Sequence, residues 1–375
     1  GAAHFSPGSG GREAHTISLG QGVVHYGPPP AALRKIPAFL ADRAQHKYVP
    51  DAGLPRLRKA FEEKLRAENG IDAPFARRIL VTAGANQGFL NALLCICDPG
   101  DEVVLLSPYY FNHEMAVRLA GARPVCVPTD EAFQPRLSSI EAAVTRKTRA
   151  VVTVSPNNPA GVVYPRETLA AVNRLCAERG IVHVSDEAYE YFTWERASHH
   201  SPGSGGNGDH TISLFSMSKS FGMASWRVGF LVAPEPLFDD LMKIQDTLVI
   251  CGPAVSQQVA LGALRAGRRY CAERLAPLRR IREKVLPRLS SRPDLLTVPP
   301  SRGAFYFLAR VHTSAGALGL AERLVREHRV AVIPGETFGI RDRCCLRISY
   351  GSLDEETAVE GIDRLLRGLE SILPG

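Results

Sequence analysis

The sequence predicts an α/β protein: a large domain with a mainly parallel sheet covered by helices on both faces, plus a smaller α+β domain made from the N-terminal segment and the C-terminal part. Two observations carry this expectation. From about residue 79, short β-rich runs ("RILVT", "EVVLLS", "RAVVTVS", "IVHVSD", "TISLF", "RVGFLVA") alternate with helical stretches ("NQGFLNALLCIC", "NHEMAVRLA", "RETLAAVNRLCAERG"), the pattern of a sheet built by crossover helices. After a long helical region at about 254–290 the texture changes to "GAFYFLAR", "VAVIPG" and "CCLRISYG", with helices expected near 316–328 and 353–371. The expected divisions are 1–45 for an N-terminal arm belonging to the small domain, 46–285 for the large domain and 286–375 for the small C-terminal domain. Residues up to about 45 carry no sheet pattern of their own and are expected to pack on the smaller domain.

Taken in order, the strand ends are the informative places, because ligands of parallel sheets bind beyond the carboxyl ends of the strands. "ILVTAGANQGFL" ends a strand at Thr82 and opens a helix near Ala85, so the amides of Gly84, Ala85 and Asn86 are placed to face an anion; a plain tight turn reads the same way. "VSPNNPAG" ends another strand and sets Asn158 in a Pro-bounded loop. "IVHVSDEAY" ends a third at Asp186, with Tyr189 three residues on; a carboxylate there also reads as a helix cap. "SMSKS" follows a fourth, with Arg227 eight residues beyond Lys219.

Lys219 lies between two runs of the continuous apolar kind that mark strands buried on both faces. An ammonium held there is costly to desolvate and tends to lose its proton, which leaves a nucleophilic amine suited to a Schiff base. Together the strand ends supply that amine, a carboxylate, two hydrogen-bond donors and an anion cup of amides, Ser216, Ser218 and Arg227. Pyridoxal 5′-phosphate needs this inventory: a lysine for its aldehyde, an anion site for its phosphate and an acidic partner for its ring nitrogen.

Bulk properties bound the alternatives. The 375 residues are 45% hydrophobic and 22% charged, with no run of eighteen apolar residues and no charged-then-apolar order at the start; a cytoplasmic protein is expected, with neither membrane nor signal segment. The net charge of +7 is scattered over mixed-sign stretches, which speaks against nucleic-acid binding. Eight cysteines show no metal-ligand spacing; the nearest groupings are Cys95 with Cys97 and the adjacent Cys344 and Cys345, so free thiols in a reducing compartment are expected and no metal. A short similarity between "HFSPGSGGREAHTISL" at 4–19 and "HHSPGSGGNGDHTISL" at 199–214 is too short for a domain repeat.

From about residue 17 to its C-terminus the chain resembles the aspartate aminotransferase family, the class I and II pyridoxal-phosphate enzymes of fold type I. The resemblance is carried by Ser216, Ser218, Lys219, Phe221, Gly222 and Arg227-Val228-Gly229, by "NPAG", "DEAY" and "RISYG", and by "LGQGVVHYGPP", "YVPDAGLPRLRKA", "SPYY", "GAFYF" and "VIPGETFG". It implies an enzyme moving an amino group between an α-amino acid and a 2-oxo acid through a Lys219 Schiff base, with Lys219 also the general base. It further implies that Asp186 pairs with the ring nitrogen and that Tyr189 and Asn158 hydrogen-bond the ring hydroxyl. Ser216, Ser218, Arg227 and the amides of Gly84, Ala85 and Asn86 would hold the phosphate, Tyr110 would stack on the ring, and Arg347 would grip the substrate carboxylate. Tyr48 matches a tyrosine that reaches the neighbouring subunit's phosphate, which implies a homodimer with shared active sites, and Gly22 matches the segment that closes over substrate.

Two departures stand out. Ser225 replaces a common glycine two residues before the phosphate arginine, and "VVHYGPPP" places Val24, His25 and Tyr26 near the substrate entrance. Arg34, His25, Tyr26 and Arg302 each read as subsite or as surface. A second reading keeps the scaffold and lysine but ends in β- or γ-elimination, replacement, cyclisation or oxidation. A third, the effector domain of a transcription regulator, calls for a DNA-binding segment, whereas only about 16 residues precede the resemblance.

Overall fold

A computed structural model describes residues 15–373. Residues 4–14, the first part of the earlier copy of the short similarity, lie outside the described residues. The strands in chain order are β1 (Ile17–Ser18), β2 (Ile79–Thr82), β3 (Glu102–Ser107), β4 (Arg123–Pro128), β5 (Thr148–Val154), β6 (Val182–Asp186), β7 (Thr211–Ser216), β8 (Gly229–Val232), β9 (Leu296–Thr297), β10 (Tyr306–Val311), β11 (Val330–Ala331), β12 (Ile333–Pro334) and β13 (Cys345–Ser349).

Seven of them form one sheet in the order β2-β8-β7-β6-β5-β3-β4. Its neighbours are parallel except around β8, which runs antiparallel to both β2 and β7. Successive side chains of a strand point to opposite faces, and both faces are covered. Val103 and Leu105 pack with Phe89 and Leu93 of the helix Ala85–Ile96, whereas Val104 and Leu106 pack with Leu169 and Val172 of the helix Arg166–Arg179. The continuous apolar runs seen in the sequence follow from this double covering.

A second, antiparallel sheet has the order β12-β13-β10-β9. The helices Ala317–His328 and Glu355–Ile372 supply Leu320, Leu324, Ile362 and Leu365 to its core. The helix Ala254–Ser290, interrupted only at Gly267, runs through the expected division at 285/286. The expectation of no sheet pattern before residue 45 needs one correction: Ile17 and Ser18 pair in parallel with Val330 and Ala331. Two residues are too few to show a period, so the strand exists only because its partner is there.

The two sheets meet along a seam. Trp194 is buried and donates its indole N–H to Ala304 O at 2.6 Å, Ala304 N donates to Phe192 O at 2.9 Å, and Gly303 N donates to Gly161 O at 2.7 Å. Gly161 has φ +68°, and a Cβ there would lie 2.1 Å from Tyr306 O, so only glycine lets the two backbones approach this closely. This approach sets Tyr306 and the Arg347 strand against the loop that carries Asn158.

On the sheet's other half, Phe61 of the helix Pro55–Lys64 lies flat on Phe230 (centroids 3.7 Å apart) and edge-on to Phe215. Phe61→Ala therefore removes a fully packed ring from the core. We expect a loss of ~3–5 kcal/mol in denaturant unfolding; a loss under ~1 kcal/mol would show that this helix does not hold the sheet.

Candidate active site

Thr82, Asp186 and Ser216 end β2, β6 and β7 at one edge of the large sheet. Because β8 is inverted, its first residue, Gly229, lies at that same edge between Thr82 and Ser216. The residue two before it, Arg227, is thereby delivered to the strand ends. Arg227 has φ +52°, a left-handed conformation costing roughly 1 kcal/mol for a side-chain-bearing residue. Ser225, in the 3-10 turn Ala224–Trp226, is not among the residues of positive φ, so the replacement of glycine there carries no backbone strain.

The Arg227 guanidinium donates to Ala224 O (2.8 Å), to Ala83 O (3.3 Å) and, at 3.5 Å, towards Ser218 Oγ. Gly84 has φ +82°, and a Cβ on it would lie 2.2 Å from Arg227 Nη2. Gly229 in turn leaves room for Ala85 N, which a Cβ would meet at 2.6 Å. The helix Ala85–Ile96 therefore opens beside the guanidinium, with first-turn amides that have no intrahelical acceptor. Ser216 Oγ accepts from Ser218 N at 3.1 Å, which caps the short helix Met217–Ser220. Arg227 and Asn86 are both exposed, so the cup of Gly84, Ala85, Asn86, Ser218 and Arg227 opens to solvent, and its charge and donors suit a phosphate.

Lys219 stands next to this cup. Its Nζ donates to Gly22 O, and Tyr26 Oη donates to Lys219 O at 2.9 Å. Burial first, then the charges of Arg227 and Arg347, lower its pKa to about 8 against the opposing pull of Asp186. Asp186 is buried; its Oδ1 accepts from Ala188 N (3.1 Å) and its Oδ2 lies 3.1 Å from His113 Nε2. His113 is itself buried, stacked on Phe89 at 4.0 Å and edge-on to Tyr110. Tyr110 Oη accepts from Asn112 Nδ2 at 2.8 Å and is also hydrogen-bonded to the Asn86 side chain; burial raises its pKa.

On the far side a chain of donors converges. Arg347 Nη1 donates to Asn158 Oδ1 (2.9 Å) and Nη2 to Gly20 O (2.6 Å), while its guanidinium lies 4.7 Å from the Tyr306 ring centre and 5.0 Å from that of Phe338. Asn158 Nδ2 donates to Tyr189 Oη at 3.2 Å, and Tyr189 Oη lies 2.8 Å from Tyr306 Oη. Burial holds the Tyr189 phenol far above its ordinary range, so it stays protonated. No ion pair of Arg347 exists among the described residues, and its buried Nε has no hydrogen-bond partner. A planar cation in that state suits a carboxylate.

Of the residues expected from the sequence, the fold thus gathers Gly22, Tyr26, Gly84, Ala85, Asn86, Tyr110, Asn158, Asp186, Tyr189, Ser216, Ser218, Lys219, Arg227 and Arg347 around one edge. Tyr48 is 79% exposed and makes no hydrogen bond with this cluster among the described residues. Arg302 pairs with Glu195 at the surface, and His25 is exposed with its ring edge-on to Tyr26. Two members of the cluster escaped the sequence reading: His113, which follows Tyr110 by three residues in no recognisable pattern, and Tyr306, which was noted only as part of "GAFYF".

Comparison with known proteins gives the family and the fold of the chain. The family model for aminotransferase class I and II matches residues 14–365. An aromatic aminotransferase of Arabidopsis thaliana is 35% identical over 366 residues, covering 95% of this chain and 90% of the relative. A probable aspartate/prephenate aminotransferase of Aquifex aeolicus is 37% identical over 336 residues, covering 87% and 84%. Among solved structures, an aromatic aminotransferase from Pyrococcus horikoshii superposes with a TM-score of 0.90 at 34% identity, covering 95% of this chain and 96% of that one. Aspartate aminotransferase from Thermus thermophilus with maleate gives 0.88, also at 34% identity, covering 94% and 92%. With strand ends, lysine and basic cup arranged as described, the chain belongs to the class I and II aminotransferases, pyridoxal-phosphate-dependent enzymes that move an amino group between α-amino and 2-oxo acids.

Proposed function

We propose that Lys219 is the catalytic amine of this aminotransferase, and the observation that carries the reading is its place directly after the end of β7, beside the cationic cup of Ser218 and Arg227 and held against Gly22 O, where burial also lowers its proton affinity. The cradle fits the cofactor on this chain's own evidence: Gly84 leaves the space a Cβ would fill beside Arg227, and the donor set there is cationic. Bound pyridoxal 5′-phosphate supplies an aldehyde that condenses with amines and a protonated ring that accepts the electron pair left at the substrate α-carbon.

In this reading Ser216, Ser218, Arg227 and the amides of Gly84, Ala85 and Asn86 hold the phosphate. Asp186, oriented by His113 and Ala188 N, keeps a proton on the ring nitrogen. Asn158 and Tyr189 would hydrogen-bond the ring oxygen, and Tyr110 would cover the ring. Arg347 grips the substrate carboxylate with its fork, which orients the α-carbon hydrogen towards Lys219. Lys219 Nζ takes that proton, a role suited to an amine whose pKa sits near the working pH. Gly22 and Tyr26 line the side from which substrate enters. The names of the relatives support amino donors with acidic or aromatic side chains. Tyr48, largely exposed in the single chain, supports a homodimer in which it reaches the neighbouring phosphate. All eight cysteines are free, which supports a reducing compartment such as the cytoplasm; among the described residues no helix is long and apolar enough to cross a membrane.

The direct test adds single amino acids, without any oxo acid, to the protein loaded with pyridoxal phosphate. One equivalent of 2-oxo acid per site, with no ammonia, is expected, and Lys219→Ala should lose the visible absorbance band and ~10³-fold or more in rate while keeping its fold. Ammonia release in place of the oxo acid would remove the transfer assignment, and an unchanged band in the variant would remove Lys219.

Lys219 is charged below pH ~8 and a free amine above it, so the rate at which the cofactor-free protein captures pyridoxal phosphate should climb with pH and level off above about 8. Stopped-flow absorbance measures this; a rate that is flat between pH ~7 and ~9 contradicts the assignment.

The dimer reading predicts a two-chain species in sedimentation and ~10-fold weaker cofactor retention for Tyr48→Phe. A monomer, or unchanged retention, overturns it.

A further inference from the structure

Tyr306 is the first residue of β10, fully buried, and its hydroxyl has one hydrogen-bond partner among the described residues, Tyr189 Oη at 2.8 Å. Distance alone lets either phenol donate. The neighbours fix one side of Tyr189, and what a ligand at Tyr189 requires selects between the two directions. Arg347 has no acceptor, so Nη1 must donate to Asn158 Oδ1, which turns the amide so that Nδ2 faces Tyr189. Nδ2 in turn can only donate, so Tyr189 Oη accepts there. Burial pushes the Tyr306 phenol up to about 12 against the pull of Arg347, so both phenols stay neutral and each carries one hydrogen. If Tyr189 gave its hydrogen to Tyr306, it would have none for a ligand. If Tyr306 gives, both lone pairs of Tyr189 are occupied and its own hydrogen is free to point at an oxyanion.

We infer that Tyr306 is a positioning residue: its hydroxyl donates to Tyr189 and so commits Tyr189 to donate towards the cofactor ring oxygen, while its ring supports the Arg347 guanidinium. One side chain thereby touches both the group that faces the cofactor and the group that faces the substrate carboxylate. The absence of a side chain at Gly22 belongs to the same arrangement, since a Cβ there would lie 2.8 Å from Tyr306 Oη. Chained donors strengthen one another, so losing the first weakens the last.

The inference rests on the aminotransferase reading above and is tested with Tyr306→Phe, which keeps the ring under Arg347 and removes only the hydroxyl. The readout is the pH midpoint of the visible absorbance of the protein loaded with pyridoxal phosphate. A weaker donor at the ring oxygen stabilises negative charge there less, so the midpoint should rise by ~0.5–1 pH unit. The KM for the amino donor should stay within ~2-fold, because the guanidinium keeps its platform. In a Tyr189→Phe background the same substitution should move the midpoint no further, since its route is gone.

An unmoved midpoint in Tyr306→Phe, or an equal shift with and without Tyr189, overturns the inference and assigns Tyr306 to packing alone. A native protein that shows no visible band with pyridoxal phosphate overturns the underlying reading instead. If Tyr306→Phe does not fold, Gly22→Ala, which crowds the same hydroxyl, must raise the midpoint, and must do so less in a Tyr189→Phe background, since Gly22 O also holds Lys219 Nζ; no rise, or an equal rise with and without Tyr189, overturns the inference equally.

Discussion

Arg347 places a permanent positive charge where only 4% of the residue meets water, and much of the site follows from that burial. Withdrawing a guanidinium from solvent costs several kcal/mol unless its donors are satisfied. Here one donor turns the Asn158 amide, another holds the carbonyl of Gly20, and the guanidinium lies near the rings of Tyr306 and Phe338. The cation thus fixes an amide, a stretch of backbone and two rings from four separate parts of the chain. What remains over is positive charge, and an incoming carboxylate is the group that answers it.

The same excess recurs across the cluster. Lys219, Arg227 and Arg347 face a single carboxylate, Asp186, in surroundings that favour the neutral amine. A cofactor that brings a phosphate and a substrate that brings a carboxylate match this balance. Lys219 needs no special partner to lose its proton readily, because burial and two neighbouring cations already loosen it.

Behind Asp186 and Tyr189 a second polar layer holds their segment in place. Glu187, wholly buried, accepts from Ser201 and His199, while Glu190 accepts from Lys64 and from Asn69 at 3.0 Å. His199 and Ser201 belong to the later copy of the short similarity, so that loop has a structural task. The closing tetrapeptide of the two copies does different work: Thr211–Leu214 lies within β7, in the middle of the large sheet, whereas Ile17–Ser18 forms β1, paired with Val330 and Ala331. Identical residues take their role from the partner strand available to them.

The sequence by itself determined six of the seven strands of the large sheet and where they stop, because a strand buried on both faces must be apolar until it reaches the edge; β4, the half-exposed edge strand, carries no such run and was not legible. Thr82, Asp186 and Ser216 are legible for that reason, as is the anomaly of Lys219 between two such runs. The inversion of β8 was not legible, since "RVGFLVA" has the same pattern in either direction, and that inversion is what brings Arg227 to the lysine's edge. Nor were His113 on Asp186 or Tyr306 on Tyr189, where residues 73 and 117 positions apart meet. Local periodicity reports which face of an element is buried; it carries no information on which distant side chain arrives there. Only the seam at Gly161 and Gly303, by letting two backbones approach, decided that Arg347, Asn158, Tyr189 and Tyr306 share one site.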